Sequence, residues 1–413
     1  MRTRYMILCL SLLFPFMYGK GEEFALSLEE CLEIGLNNSL SLRSAEAEVS
    51  GAKILEGSYL DLPNTNISLV QTTTDGGGPD NGLKFSQEFD FPTVYMAKRK
   101  YLKSETELQR RKALTVRNDI SEEIESIYYS LVYQRELISI AEAQDTVYKK
   151  FYRVAQANFD AGETSRLDLL NARRLMNENS LELEKIAMEY VSLLEKFRSL
   201  LNVEYNVVPR EETLKTISGF DPGDTLNYSF TPRGRMAEGR LEVARRNHQL
   251  SKQGYMPSIS VGATAQLLLK GFNPYHIDRP RFEQGDFMGI EVGVSVPLFF
   301  GAQRAKTRAA SKAVEAEELQ MKDDANRLAL EYKSLYNSYT SACRRVEYYL
   351  KGGLHDVIEI ARLSTVSYEL GEIGYDEHAR NLENLNNVKR AYAEAIENYN
   401  QIVIKMKYIQ GVL

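Results

Sequence analysis

The sequence is poor in the residues that do chemistry. It holds three cysteines and four histidines in 413 residues. Cys9 lies in an apolar run without the small neighbours that a lipid-attachment cysteine needs, so no lipid anchor is expected there. Cys31 and Cys343 have no paired spacing and read as structural filler rather than as a disulfide or a metal site. His248, His276, His355 and His378 are scattered, with no partner at ligand spacing. His378 follows Glu377 directly, yet it reads as an ordinary surface histidine. There is no His-Glu-x-x-His, no Gly-x-Ser-x-Gly, no Gly-x-x-x-x-Gly-Lys and no Cys-x-x-Cys. Neither catalysis nor a cofactor nor a bound metal is expected.

Basic charge is also lacking. The formal net charge is −6. Removal of residues 1–21 would take away Arg2, Arg4 and Lys20 and no acid, leaving a still more acidic chain. Such a balance argues against a nucleic-acid partner, whose phosphates need a basic face. Long apolar runs are absent as well. After residue 21 nothing reaches the ~18 residues of a membrane-spanning helix. The one apolar run, Tyr5 to Tyr18, follows a basic start and precedes Gly19-Lys20-Gly21, so residues 1–21 read as a cleaved secretory signal. An exported chain without a spanning helix is periplasmic, secreted, or inserted into a membrane by strands.

What is present occurs twice. A helix, Leu62-Pro63, two alternating strands, Pro92, a long helix, Phe159-x-x-Gly162-Glu163 and a return helix fill the first half. A helix, Met256-Pro257, two alternating strands, Pro297, a long helix, Tyr368-x-x-Gly371-Glu372 and a return helix fill the second. The repeats are placed at 22–208 and 228–413, with 209–227 as linker. A duplication of so many unlike elements in one order decides the fold class before any motif does: mainly α, with a β portion.

No proline or glycine interrupts the stretch between Pro92 and Gly162. At ~1.5 Å per residue, one helix there would be roughly 100 Å long and would need lateral partners. The period supplies a seam for them. Ile120, Ile124, Ile127 and Leu131 alternate spacings of four and three, and so do Met321, Ala325, Leu328, Tyr332, Leu335, Tyr339, Ala342, Val346 and Tyr349. The return helices repeat the spacing from Leu183 to Leu201 and from Leu385 to Ile409. The mixture of Tyr, Ala, Leu and Met suits a wide wall of helices. Gly162 and Gly371 would end their helices in the left-handed conformation, with Ser165 capping the first return helix. Gly352-Gly353 predicts a break or bulge in the second long helix.

The strands alternate strictly. Leu83, Phe85 and Phe89 interleave with Lys84, Ser86, Glu88 and Asp90; Ile259, Val261, Ala263 and Ala265 with Ser258, Ser260, Gly262 and Thr264; Met288, Ile290, Val292 and Val294 with Gly289, Glu291, Gly293 and Ser295. Gly76-Gly77-Gly78 through Asn81-Gly82 reads as the first hairpin, and a longer loop near Gly271 to Gly285 joins the second pair. Alternation of this kind fits lipid-facing barrel strands and a sheet with one buried face equally well. If lipid is the answer the chain must oligomerise, because open strand edges leave backbone groups unsatisfied in hydrocarbon.

Three segments carry a resemblance: Gly254-Tyr255-Met256-Pro257-Ser258-Ile259-Ser260, Val296-Pro297-Leu298-Phe299-Phe300-Gly301, and Phe159 to Asp168. Duplicated and in order, they make the chain similar to the TolC family of outer-membrane efflux proteins over essentially all of it beyond residue 21. The resemblance implies a homotrimer, in which each chain gives four strands to a twelve-stranded transmembrane β-barrel and its helices to an α-barrel crossing the periplasm. Pro63, Pro92, Pro257 and Pro297 would sit where strands pass into helices. It also implies passive conduction of drugs or metal ions through the outer-membrane lipid, fed by an inner-membrane pump of the resistance-nodulation-division type and a periplasmic adaptor. The adaptor would meet the turns at Gly162, Glu163, Ser165 and Leu167 and at Gly371, Glu372 and Tyr375. Asp168, Tyr368 and Glu377 would form the gate, with a Tyr368 hydroxyl able to bond Asp168. The family places a basic residue two after the second glycine; here Ile373 stands there, and Arg380, one turn after Glu377, would be the substitute. Two other readings stay open: the same channel serving type I protein secretion, and a soluble periplasmic coiled-coil adaptor or scaffold.

Overall fold

The computed structural model describes residues 23–73, 79–266 and 287–411. The expected signal at 1–21 with Cys9, the expected hairpin residues Gly76–Gly78, and residues 271–285 with His276 lie outside the described residues. The chain forms two compact units. One takes the chain up to Ser39, Glu123–Thr216 and Ala342–Gln401; the other takes Leu40–Glu122, Ile217–Ser341 and the chain from Ile402. Each unit draws on residues from both halves of the chain.

The unit with the four-stranded sheet contains α2 (Leu40–Leu55), β2 (Asn66–Thr73), β3 (Pro79–Asp90), the start of α3 (Pro92–Asp160), α5 (Pro232–Lys252), β5 (Ser258–Gln266), β6 (Phe287–Ser295) and most of α6 (Gly301–Tyr348). Its sheet runs β2-β3-β5-β6, antiparallel throughout. The register sets Leu69, Leu83, Ala265 and Met288 in one row and Ile67, Phe85, Ala263 and Ile290 in the next. Directly paired residues share a face, so one side of the sheet is apolar. The opposite side carries Lys84 bonded to Glu291 at 2.6 Å, and Ser258 donating to Glu88 at 2.5 Å. Nothing among the described residues covers the apolar side: Ile290 is 86% exposed and Leu69 71%. Both outer strands, β2 and β6, have a single partner each.

The prolines stand at the changes of element. Pro92 is the first residue of α3, directly after β3. Pro63 lies between a 3-10 turn at Glu56–Leu60 and β2, and Pro257 between the turn Gln253–Tyr255 and β5. Pro297 lies between β6 and α6. A residue that fixes φ and disfavours α backbone before it suits such places.

The second unit holds β1 (Glu23–Leu26), α1 (Leu28–Asn38), the rest of α3, α4 (Arg166–Leu201), β4 (Asn206–Pro209), α7 (Leu354–Glu369) and most of α8 (Tyr375–Gln410). β1 and β4 pair in parallel, an element not anticipated from sequence because four residues are too few to show a period. Ile124, Ile127 and Leu131 of the α3 seam are buried, with Tyr128 edge-on to Phe197 at 6.3 Å. Ala395 and its neighbour Ile396 are both buried against Val346, so the apolar stripe is broader than a two-helix seam. Between α6 and α7 the helix widens into a π-helical turn, Tyr349–Gly353, where Gly352 is extended at φ 170°. The double glycine does break the helix as anticipated.

Candidate functional site

Two helix-to-helix turns belong to this second unit and are built alike. Gly162 follows α3 with φ 79°, and Gly371 follows α7 with φ 77°. In the first turn the Gly162 amide donates to the Phe159 carbonyl at 3.0 Å and the Glu163 amide to Asn158 at 2.8 Å. In the second the Gly371 amide donates to Tyr368 at 3.1 Å and the Glu372 amide to Ser367 at 2.8 Å. This paired closure of a helix end requires a left-handed residue, which glycine adopts without penalty. Three residues after each glycine the next helix opens, at Ser165 and at Gly374.

Asp168 and Glu377 therefore occupy the same third helical position. Asp168 Oδ2 accepts from the Ser165 amide at 3.2 Å, the Ser165 hydroxyl at 2.7 Å and the Thr164 hydroxyl at 2.9 Å. Ser165 Oγ in turn accepts from the Asp168 amide at 3.2 Å, completing a capping box. These bonds, the Ser165 hydroxyl foremost, hold the Asp168 carboxyl below its ordinary range. The spacing that singled out Asp168 thus has a local cause, since an acid in the first turn satisfies orphan amides and suits the helix dipole. The Tyr368 hydroxyl is not among the described partners of Asp168 within the chain.

Tyr368 and Tyr375 pack inward. They border a cluster of Tyr148, Phe151 and Ala155 from α3, Leu169, Ala172 and Leu175 from α4, and Ala379 and Leu382 from α8. Tyr375 stacks on Phe151 at 4.7 Å, and Tyr368 stacks on His378 at 4.7 Å. Burial, and after it the charge of Asp168, push both phenols up.

His378 is not a surface residue: it is 5% exposed. Its ring is covered by Tyr368 and, edge-on at 5.6 Å, by Phe151. Its Nδ1 lies 3.0 Å from Ser364 Oγ, which accepts from Asn381 Nδ2 at 3.1 Å. Burial pushes the imidazole pKa down against a smaller upward pull from Glu369. A signal for this was present. Running the four-three seam of α8 backward from Leu385 lands on Asn381 and then His378. The Ser364–His378 pair is a buried contact, with little of either side chain exposed.

The remaining positions face outward. Glu163, Ser165, Leu167, Glu372 and Glu377 are exposed. Glu372 accepts from the Ser367 hydroxyl at 3.0 Å, and Arg380 Nε donates to the Asp376 carbonyl at 3.1 Å. Beside the turns lies a cleft of about 810 Å³ whose walls include Phe151, Val154, Ile358, Ile373 and His378. Lys150 and Glu369, 3.7 Å apart, stand at its edge with Glu163 and Arg362.

No protein-family model matches the chain, and no curated protein is significantly similar to it in sequence. Solved structures are. The chain is similar to CusC, with 15% identity and a TM-score of 0.75 over 94% of this chain and 93% of that one. It is similar to the outer membrane protein VceC of Vibrio cholerae, with 18% identity and a TM-score of 0.73 over 93% and 96%. The CmeC outer membrane channel of Campylobacter jejuni matches with 15% identity and a TM-score of 0.69 over 93% and 85%. The likeness runs along nearly the whole of each chain, and this protein has the fold of these outer-membrane channels.

Proposed function

We propose that the chain is an outer-membrane efflux channel working as a homotrimer. The outer strands β2 and β6 of neighbouring copies would pair and close a twelve-stranded barrel, and the helices would line a passage through the periplasm. The observation that carries this reading is the uncovered apolar side of the sheet, with Ile290 86% exposed, opposite a side bearing Lys84 and Glu291. Water does not favour such a face over four strands, whereas hydrocarbon does. Closure with other copies is then required, because lipid tolerates no open edge. A soluble periplasmic adaptor would leave that face without a matching solvent.

On this reading the chain conducts passively what an inner-membrane pump of the resistance-nodulation-division type and a periplasmic adaptor deliver. Drugs or metal ions are the expected cargo, and the pump selects among them. The repeats 22–208 and 228–413 would alternate around the threefold axis, giving six near-equivalent turns at Gly162 and Gly371 for adaptor subunits. Asp168, Tyr368 and Glu377 would narrow the passage there, where rings of carboxylates attract cations.

Fractionation tests the first claim: the chain should appear in the outer-membrane fraction and leave it only with detergent, and recovery in the soluble periplasm would overturn it. Single-channel recording tests the gate. Asp168→Ala combined with Tyr368→Phe should raise conductance, while Ser165→Ala, which removes the cap and keeps the carboxylate, should not. Equal conductance in all three proteins would remove Asp168 and Tyr368 from the gate.

A further inference from the structure

The ends of the sheet carry charges that helix energetics alone would not place there. A helix N-terminus favours acids and disfavours cations. The return helices obey this, with Asp168 opening α4 and Asp376 and Glu377 opening α8. The two helices that leave the sheet do the reverse. Neither α3 nor α6 has an acid in its first turn. α6 presents Arg304, Lys306 and Arg308 before its first acid, Glu315, and α3 presents Arg99 and Lys100 before Glu105. All five are exposed, and the three of α6 have no ion-pair partner among the described residues.

These cations gather at one end of one sheet. The register pairs the last residue of β3, Asp90, with the first of β5, Ser258, and Ser258 with the last of β6, Ser295. Both helices are then tied to the end of α5, through Thr93 Oγ1 donating to Gln253 Oε1 at 2.7 Å and Gln303 Nε2 donating to the Ser251 carbonyl. Exposed Lys252 lies between those ties. Immediately on the strand side, Val296, Leu298 and Phe299 project into solvent, Phe299 being 94% exposed. The order is an apolar strand face, an aromatic step, then a belt of long cations about one to two helical turns further on. That succession matches hydrocarbon, interface and headgroup, with Arg and Lys stems able to reach back toward the phosphates.

We infer that Arg304, Lys306 and Arg308, with Lys252, Arg99 and Lys100 beside them, form a collar that binds the anionic phospholipid headgroups of the leaflet next to the helices. The inference rests on the membrane reading proposed above and adds to it a lipid class and a site. Each cation near an anionic surface strengthens binding by about fivefold, so the three of α6 together contribute on the order of a hundredfold.

The test uses the full chain and a variant with Arg304→Gln, Lys306→Gln and Arg308→Gln. Each is reconstituted into vesicles of phosphatidylethanolamine alone and of an equal mixture with phosphatidylglycerol. Detergent-solubilised protein is then titrated with phosphatidylglycerol, phosphatidylcholine or inorganic phosphate while its thermal transition is followed. Phosphatidylglycerol should raise the transition of the wild type, the variant should need on the order of a hundredfold more, and phosphatidylcholine and inorganic phosphate should do little. A second variant, Arg304→Lys with Arg308→Lys, should respond as the wild type does, which separates charge from packing. Equal phosphatidylglycerol responses of wild type and the Gln variant, in proteins that insert normally, would overturn the collar and leave the channel reading intact. Response to inorganic phosphate as strong as to lipid would overturn the lipid assignment. Failure of the wild type to enter either vesicle would overturn both.

Discussion

Among single residues, His378 is placed to make the turns sensitive to acid. It is buried against Tyr368 and Phe151, and the charged groups lining the adjoining cleft are Lys150 and Glu163 from the α3 side and Arg362 and Glu369 from α7. Its folded pKa is lowered by burial, so the unfolded chain binds more protons between the folded value and the ordinary ~6.5. Stability contributed by the neutral ring is therefore complete above about pH 6.5 and is lost as pH falls through the lowered folded pKa. Melting followed from about pH 7.5 down to about pH 5 should show a steeper loss for the wild type than for His378→Gln. Parallel curves would show that the ring titrates without penalty. Asp168 makes a second case, because its carboxylate closes a capping box. Asp168→Ala should cost about 1 kcal/mol in the stability of the turn, measured by hydrogen exchange of the Ser165 and Asp168 amides.

At the scale of elements, the two turns depend on backbone that only one residue type takes without strain. Gly162 and Gly371 both sit in the left-handed region, and space around each is open, so a side chain would meet no atom. The cost of substitution is then conformational. Gly162→Ala and Gly371→Ala should each destabilise by about 1–2 kcal/mol and by similar amounts, since the two closures share their hydrogen bonds. Denaturant melts of the single variants check this, and a large difference between them would show that the turns are not equivalent. The break at Tyr349–Gly353 belongs to one copy only, because α3 runs unbroken through 69 residues.

At the scale of the whole molecule, the sheet decides what solvents the protein needs. Ile290→Lys places a cation on the uncovered apolar row, whereas Ser260→Lys places one on the polar row. For a lipid-facing row the first should cost about 2–4 kcal/mol near the bilayer midplane and deplete the chain from the outer membrane. The second should leave membrane levels near those of the wild type. Immunoblots of outer-membrane fractions would measure both, and equal levels would show that the Ile290 row does not face lipid.

The periodicities were legible along the chain because each is local. The four-three spacing announces helices and their buried seam, strict alternation announces strands, and the glycines at 162, 371 and 352 mark where helices stop or break. The duplication places these signals in order and so determines the fold class. Tertiary structure alone decided what each face meets. Alternation is the same for a strand facing a core and a strand facing an uncovered side, and only the four-strand register left Ile67, Phe85, Ala263 and Ile290 in one open row. The offset marks Asp168 in the sequence, but only the fold shows that its carboxylate is held by Ser165 and Thr164. His378 looked exposed beside Glu377, yet Phe151 and Tyr368 close over it. Burial is set by partners distant in sequence, and a local pattern carries no record of them.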